Sequence, residues 1–313
     1  MSNPNALSID LTSGLLLAAL ALVWGGSFFF AEIALRELPP LTITLFRVAL
    51  ALPVLFLVVR LKGIAIPRGA KIWSAYLGMG ALNNAIPFSL IFWGQTQIES
   101  GLASILNGTT AMFGAVVAGG LLKDEPLTTQ KLIGAALGFL GVAVIMGPAA
   151  LTSLDPRNLA QLAVLAAAFS YALASVWGKL FLSGQPPLMN ALGMVAGSTV
   201  LMLPIVFYVE GVPRIDLSVE VWGALIGIAV LSTALAYLMY FDILRRAGSA
   251  NLMLVTLLIP PVAVGLGAGF LGEQLSREAF LGFLVIGLGL VVTDGRLFKA
   301  LMNRQQKPAN APE

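Results

Sequence analysis

Charge is missing from this chain in long blocks, and that pattern limits what it can fold into. Uncharged stretches run over residues 11–31, 72–98, 100–122, 132–154, 158–178, 180–209, 221–241 and 247–272. Each exceeds the roughly 18 residues needed to cross bilayer hydrocarbon as a helix. Two further candidates complete the series: Leu41 to Val59, interrupted only by Arg47, and the shorter Ala279 to Thr293, flanked by polar anchors. Because hydrocarbon leaves no backbone polar group a water partner, such runs become helices. The expectation is an all-α membrane protein with ten transmembrane helices joined by short loops. The first run, Leu11 to Ala31, lacks the basic leader and cleavage site of a signal peptide and reads as a span.

Composition narrows function by exclusion. Only 11% of residues are charged and mean hydropathy is +0.92, whereas a soluble domain carries about 25% charged residues. Cysteine and histidine are both absent, which removes thiolate nucleophiles, imidazole metal sites and histidine proton relays. No hydrolytic triad, phosphate loop or cofactor motif is present, so neither an enzyme nor a cofactor or metal is expected. The net charge of +3 does not point to nucleic acid, because the basic residues lie between apolar runs and report topology. With a cytoplasmic N-terminus, thirteen Lys and Arg fall on inner segments. Four (Arg36, Arg157, Arg214 and Arg277) fall on outer loops, and Arg47 lies within a span, accounting for all 18. Both termini are therefore expected to be cytoplasmic.

The chain also repeats itself. A shift of 148 places Glu125 on Glu273, Leu127 on Leu275, Gly134 on Gly282 and Gly141 on Gly289. A shift of 147 places Pro39-Pro40-Leu41 on Pro186-Pro187-Leu188, and Trp24 on Tyr171. Five spans per repeat is an odd number, so the second copy must enter the membrane from the opposite side. Inverted repeats offer two near-equivalent packings, each open to one face, which is the architecture of a transporter. The expected organisation is a cytoplasmic N-terminus over 1–12, five-helix repeats over 13–150 and 151–295, and a basic cytoplasmic tail over 296–313.

These residues resemble the EamA-type drug/metabolite transporter superfamily, whose members have ten helices in two inverted repeats. The resemblance rests on Trp24-Gly25-Gly26-Ser27, on Pro39-Pro40 followed by Arg47, and on the doubled loop Glu125-Pro126-Leu127-Thr128 and Glu273-Gln274-Leu275-Ser276 with its following glycines. It covers residues 14–295. Within that superfamily the length, short loops and aromatic content are most similar to bacterial exporters of amino acids and related metabolites, aromatic amino acids first. The resemblance implies a multi-pass protein of the bacterial inner membrane that moves a small molecule by alternating access. It departs from the pattern at Glu32, where a Lys often stands; the equivalent Lys179 is kept.

Polar groups at mid-span cost several kcal/mol if unpaired, so they mark helix contacts or a wet cavity. Asn83 and Asn84 are such a pair, and Pro87 cannot donate to the carbonyl of Asn83. Two carboxamides beside a free acceptor suit the ends of a zwitterion, or alternatively interhelical bonding. Trp24, Phe28, Tyr171 and Tyr237, with Thr256 beside the helix break, are the other candidate substrate contacts. Trp93, Trp177 and Tyr240 lie near span ends, where an interfacial belt is the better reading. Pro260 and Pro261, like Pro87, are candidate hinges. Glu32 with Arg47, and Lys179 with Asp242, are candidate charge pairs near opposite mouths, with snorkelling as the plain alternative. Glu125 and Glu273 read as structural, favouring helix N-termini. The glycines of the fifth and tenth spans permit close approach, as scaffold or as a homodimer contact.

The function these features support is export of amino acids or related metabolites by facilitated diffusion. A proton-coupled drug or quaternary-ammonium exporter is the alternative, with a membrane-embedded enzyme or scaffold behind it. Because the chain lacks cysteine, inverted topology has a direct test. Arg60→Cys and Arg277→Cys should be labelled by an impermeant maleimide from opposite sides of the membrane; labelling from one side would remove the inverted-repeat reading.

Overall fold

A computed structural model describes residues 11–122, 127–146, 155–252 and 255–294, excepting the side chains of 248–251 and 294. The expectations for Glu125, for the N-terminal segment up to residue 10 and for the basic tail lie outside these residues. Among the described residues there is helix and no strand. We number the helices α1 (Leu11–Ala34), α2 (Pro40–Leu61), α3 (Ala70–Gln95), α4 (Ser100–Leu121), α5 (Thr129–Met146), α6 (Pro156–Phe181), α7 (Pro187–Val209), α8 (Val219–Ala247), α9 (Val255–Leu271) and α10 (Arg277–Asp294). The first eight are long and apolar enough to cross a membrane; α9 is shorter, and α10 is 18 residues long with Arg277, Glu278 and Asp294 at its ends.

Helix starts follow local chemistry. α2, α6 and α7 each begin with proline in the first turn, where the missing N–H is no loss. Asp155 caps α6 by accepting from the Arg157 N–H, and Ser218 caps α8 by accepting from that of Val221. Other starts are capped from a distance. Glu210, at the end of α7, accepts from the backbone N–H groups of Leu41 (3.0 Å) and Thr42 (2.7 Å) at the start of α2. Glu273, after α9, accepts from Ser100 N–H (2.9 Å), Ser100 Oγ (2.9 Å) and Gly101 N–H (3.2 Å) at the start of α4. The carboxylate expected to favour its own helix thus caps one in the other repeat. Glu37 accepts from the N–H of Ser218, and hydrogen bonding from the Ser218 side chain, followed by this N–H, holds its carboxyl below the usual range. Arg157 pairs with Glu99 at 2.9 Å. All these bonds gather the α1–α2, α3–α4, α7–α8 and α9–α10 connections on one face.

Packing runs mainly between the repeats. α1 lies against α8 and α9, and correspondingly α6 lies against α3 and α4; α2 pairs with α7, and α5 with α10. This pattern survives exchange of the two halves, yet it makes an interlaced bundle rather than two lobes with a seam. Glycines set the closest crossings. A Cβ on Gly25 would lie 2.7 Å from Val262 of α9, which assigns the Trp24-Gly25 step to the α1–α9 contact. In α5 and α10, Gly134 meets the carbonyl of Gly289 and Gly141 that of Gly282, each reciprocally. These four glycines are therefore used within one chain, as scaffold.

Two of the π turns, in α3 and α8, fall at equivalent places, and a third spans Gly267–Leu271 in α9. In α3 the turn spans Ala81–Ala85, so the Ile86 N–H bonds to the carbonyl of Ala81; in α8 it spans Gly227–Leu235. Pro87 lies two residues after the first of these. Pro260 and Pro261 sit inside helical α9, Pro260 buried and Pro261 exposed. Close crossing predicts intolerance at Gly80 of α3, where a Cβ would come 2.5 Å from the Ser198 nitrogen and 2.6 Å from the Met194 carbonyl of α7. Gly80→Ala should cost about 1–3 kcal/mol and lower the melting temperature of the purified protein. Gly114→Ala, with nothing within 4 Å, should not lower it.

Candidate functional site

A cavity of about 660 Å³ runs through the middle of the bundle. Its walls come from α1, α2, α3, α4, α6, α7, α8 and α9; α5 and α10 contribute nothing to it. At one end the lining residues Phe28, Arg47 and Gln95 are buried. At the other, Lys179, Ser183 and Pro187 around the α6–α7 connection are exposed. The cavity is thus closed on the face that carries the long-range caps and open on the opposite face.

Among the expected substrate contacts, Trp24, Phe28, Asn83, Tyr171, Tyr237 and Thr256 line the cavity. Asn84 does not. It is fully buried, donates to Ser198 Oγ (3.2 Å) and accepts from Tyr237 OH (3.3 Å), so it joins α3 to α7 and α8. Asn83 donates to Tyr237 OH at 3.4 Å. Both carboxamides therefore bond between helices, and of the two only Asn83 is also on the wall. Tyr240, expected at the membrane interface, instead lines the cavity with its ring 5.9 Å from that of Trp24. Its place near a span end misled, because α8 reaches the cavity's open mouth there. Trp177 donates its indole N–H to the carbonyl of Ala75 (2.9 Å), and Trp93 is exposed; neither is on the cavity wall.

The charged candidates are distributed differently from the anticipated pairs. Arg47 bonds not to Glu32 but to Thr233 Oγ1 through Nε (3.1 Å), to Ser27 Oγ through Nη1 (2.9 Å) and to the carbonyl of Ser232 through Nη2 (3.5 Å). Its guanidinium carbon lies 3.7 Å from the centroid of Phe88, the stacking that suits a delocalised cation. Glu32, half-buried behind the wall, accepts from Gln95 Nε2 at 3.3 Å. Asp242 is bound by Arg245 (2.7 Å) and Arg246 (2.8 Å) on its own helix, while Lys179 lines the cavity mouth. The anticipated pairs assumed that charges near one surface find each other; neighbouring neutral acceptors and i, i+3 and i, i+4 spacing were closer at hand.

The π turn of α8 presents Ser232 and Thr233 to Arg47. Ser232 Oγ donates to the carbonyl of Val23, and Thr233 Oγ1 to that of Ile228. No proline or asparagine marks this turn in the sequence. Reading the chain also missed Phe88, Phe92, Gln95, Asn107 and Asn190, all on the wall. For the last three a signal existed, since an uncharged amide within an apolar run needs partners. Their side-chain oxygens are buried and accept no hydrogen bond from the described residues. Among the described lining residues there is no carboxylate, and the only charged groups are Arg47 and Lys179.

The model of the EamA-like transporter family matches residues 12–147 and again 158–293. The uncharacterized transporter YvbV of Bacillus subtilis (strain 168) is 30% identical over 294 residues, covering 92% of this chain and 94% of its own. A probable amino-acid metabolite efflux pump of Escherichia coli (strain K12) is 28% identical over 297 residues, covering 89% and 93%. A crystal structure described only as that of a protein shares the fold, with a TM-score of 0.66 at 16% identity over 92% of this chain and 98% of that one.

The two asparagines should separate in mutagenesis. Asn84→Ala removes a buried partner from Ser198 and Tyr237 and should cost about 1–3 kcal/mol, seen as a lower melting temperature. Asn83→Ala should move the melting temperature less.

Proposed function

The chain belongs to the EamA-like transporter family, and we propose that it exports amino acids or related small metabolites, aromatic amino acids first, by alternating access. The observation that carries this reading is the blind-ended central cavity whose wall is drawn from both repeats. A passage open at one end is half of a transport cycle. Helix packing that survives exchange of the halves supplies a second arrangement in which the open and closed ends trade places.

In this reading ten helices span the bacterial cytoplasmic membrane with both termini inside. The open mouth at the α6–α7 connection then faces the cytoplasm, ready to load. The closed face is held by Glu210 on α2, Glu273 on α4 and the Glu99–Arg157 pair. These contacts lie at the protein's rim, where water can replace them during opening.

The lining supports the substrate class. Trp24, Tyr171, Tyr237, Tyr240, Phe88 and Phe92 surround a volume suited to a bulky apolar side chain, and amide and hydroxyl groups punctuate it. A relative named as a probable amino-acid metabolite efflux pump points the same way. Arg47 on the wall, with no carboxylate among the described lining residues, disfavours quaternary-ammonium cargo. That no carboxylate stands among the described lining residues also favours facilitated diffusion over proton coupling.

In proteoliposomes, labelled aromatic amino acids should undergo counterflow with no imposed proton gradient. Counterflow that depends on such a gradient would overturn facilitated diffusion, and failure of every amino acid to exchange would overturn the substrate class.

A further inference from the structure

Ser27 and Phe28 are consecutive residues of α1, and each holds one polar side chain at the cavity's closed end. Ser27 Oγ accepts from Arg47 Nη1 at 2.9 Å; the carbonyl of Phe28 accepts from Gln95 Nε2 at 2.9 Å. The guanidinium and the amide are therefore both anchored to the same turn of α1, and both residues line the cavity.

Arg47 is 6% exposed, makes no ion pair among the described residues, and spends three of its five N–H groups on neutral oxygens. A buried cation without a counter-ion favours an anion placed against its remaining donors. Gln95 is 3% exposed, and both partners of its nitrogen, the Phe28 carbonyl and Glu32 Oε2, are acceptors. That settles which way the amide points. Gln95 lines the cavity, and its oxygen is buried with no donor among the described residues. One group thus seeks a negative partner, and its neighbour seeks a hydrogen-bond donor.

We propose that Arg47 and Gln95 form the head-group site for an α-amino acid, the carboxylate bound by the guanidinium and the ammonium by the Gln95 side-chain oxygen. Glu32 stands behind the amide, accepting from its nitrogen; this orients the amide and makes its oxygen a stronger acceptor for a cation. Trp24 is one helical turn from Phe28 toward the open end, with Tyr240 against it. The substrate's side chain extends in that direction, among Trp24, Tyr171 and Tyr237. Asn83, given the zwitterion on sequence grounds alone, then contacts the body of the substrate instead of its ends.

This inference rests on the amino-acid export reading, and one experiment separates the two. In counterflow of labelled L-phenylalanine, unlabelled phenylalanine, phenylalaninamide (no carboxylate) and 3-phenylpropionate (no ammonium) compete. Against the wild type each analogue should compete at least about tenfold more weakly than phenylalanine, since a site built for a polar group rejects molecules lacking it. Arg47→Gln should bring phenylalaninamide to parity with phenylalanine while 3-phenylpropionate stays weak. Gln95→Met should do the converse, and being nearly isosteric it carries the test if Arg47→Gln fails to fold. Equal competition by all three in the wild type, or discrimination unchanged in Gln95→Met, overturns the head-group site alone. A wild type that exchanges no amino acid overturns the export reading and this inference together.

Discussion

Close contact between helices of opposite repeats holds this protein together. Lipid is as apolar as the helix surfaces, so helices gain by fitting each other rather than by leaving solvent. The fit is tightest where Cβ atoms are absent: Gly80 against α7, Gly25 against α9, and the reciprocal glycines of α5 and α10. Because the principal neighbours of α1, α2, α3 and α6 come from the other half, neither repeat has a core of its own. The cavity is what remains where aromatic and amide side chains keep the backbones apart.

The same interlacing explains the placement of polar chemistry. α5 and α10 pack on each other and leave the cavity to the other helices. The π turns of α3 and α8 occupy equivalent positions and face the same space, one presenting Asn83, the other Ser232. A π turn widens the helix and frees backbone groups, and such turns gather at functional sites. Here one of them supplies two of the three oxygens that hold Arg47, a charge of the first repeat bound by the second. On the closed face the logic is repeated with opposite sign, as carboxylates of the second repeat occupy helix N-termini of the first. Helix ends carry partial charge, and a carboxylate from a neighbouring loop both caps them and ties the repeats together.

The site was partly legible. Trp24, Tyr171, Tyr237 and Asn83 stood out as large or polar groups deep in apolar runs, and they do line the cavity. Tyr240 was misplaced by its distance along the helix, which says nothing about the helix face. Gln95 lies near the end of its apolar run, and its position along the chain does not show that packing leaves it 3% exposed. Arg47 was noticed, but its partners Ser27, Ser232 and Thr233 lie on α1 and α8, and nothing in the spacing of those residues announces the contact.

What the amino-acid sequence determined by itself is the helical, membrane-embedded character of the chain and its doubled construction. Hydrocarbon demands long apolar runs with internally paired backbones, and that requirement is written one residue at a time. Duplication is equally local, as matching residues at a constant offset. Only the tertiary structure decided that the repeats interlace, that Asn84 ties helices while Asn83 faces the cavity, and that Glu273 caps a helix 173 positions earlier in the chain. Those outcomes depend on which faces of separate helices meet, and packing resolves that through contacts between residues far apart in sequence.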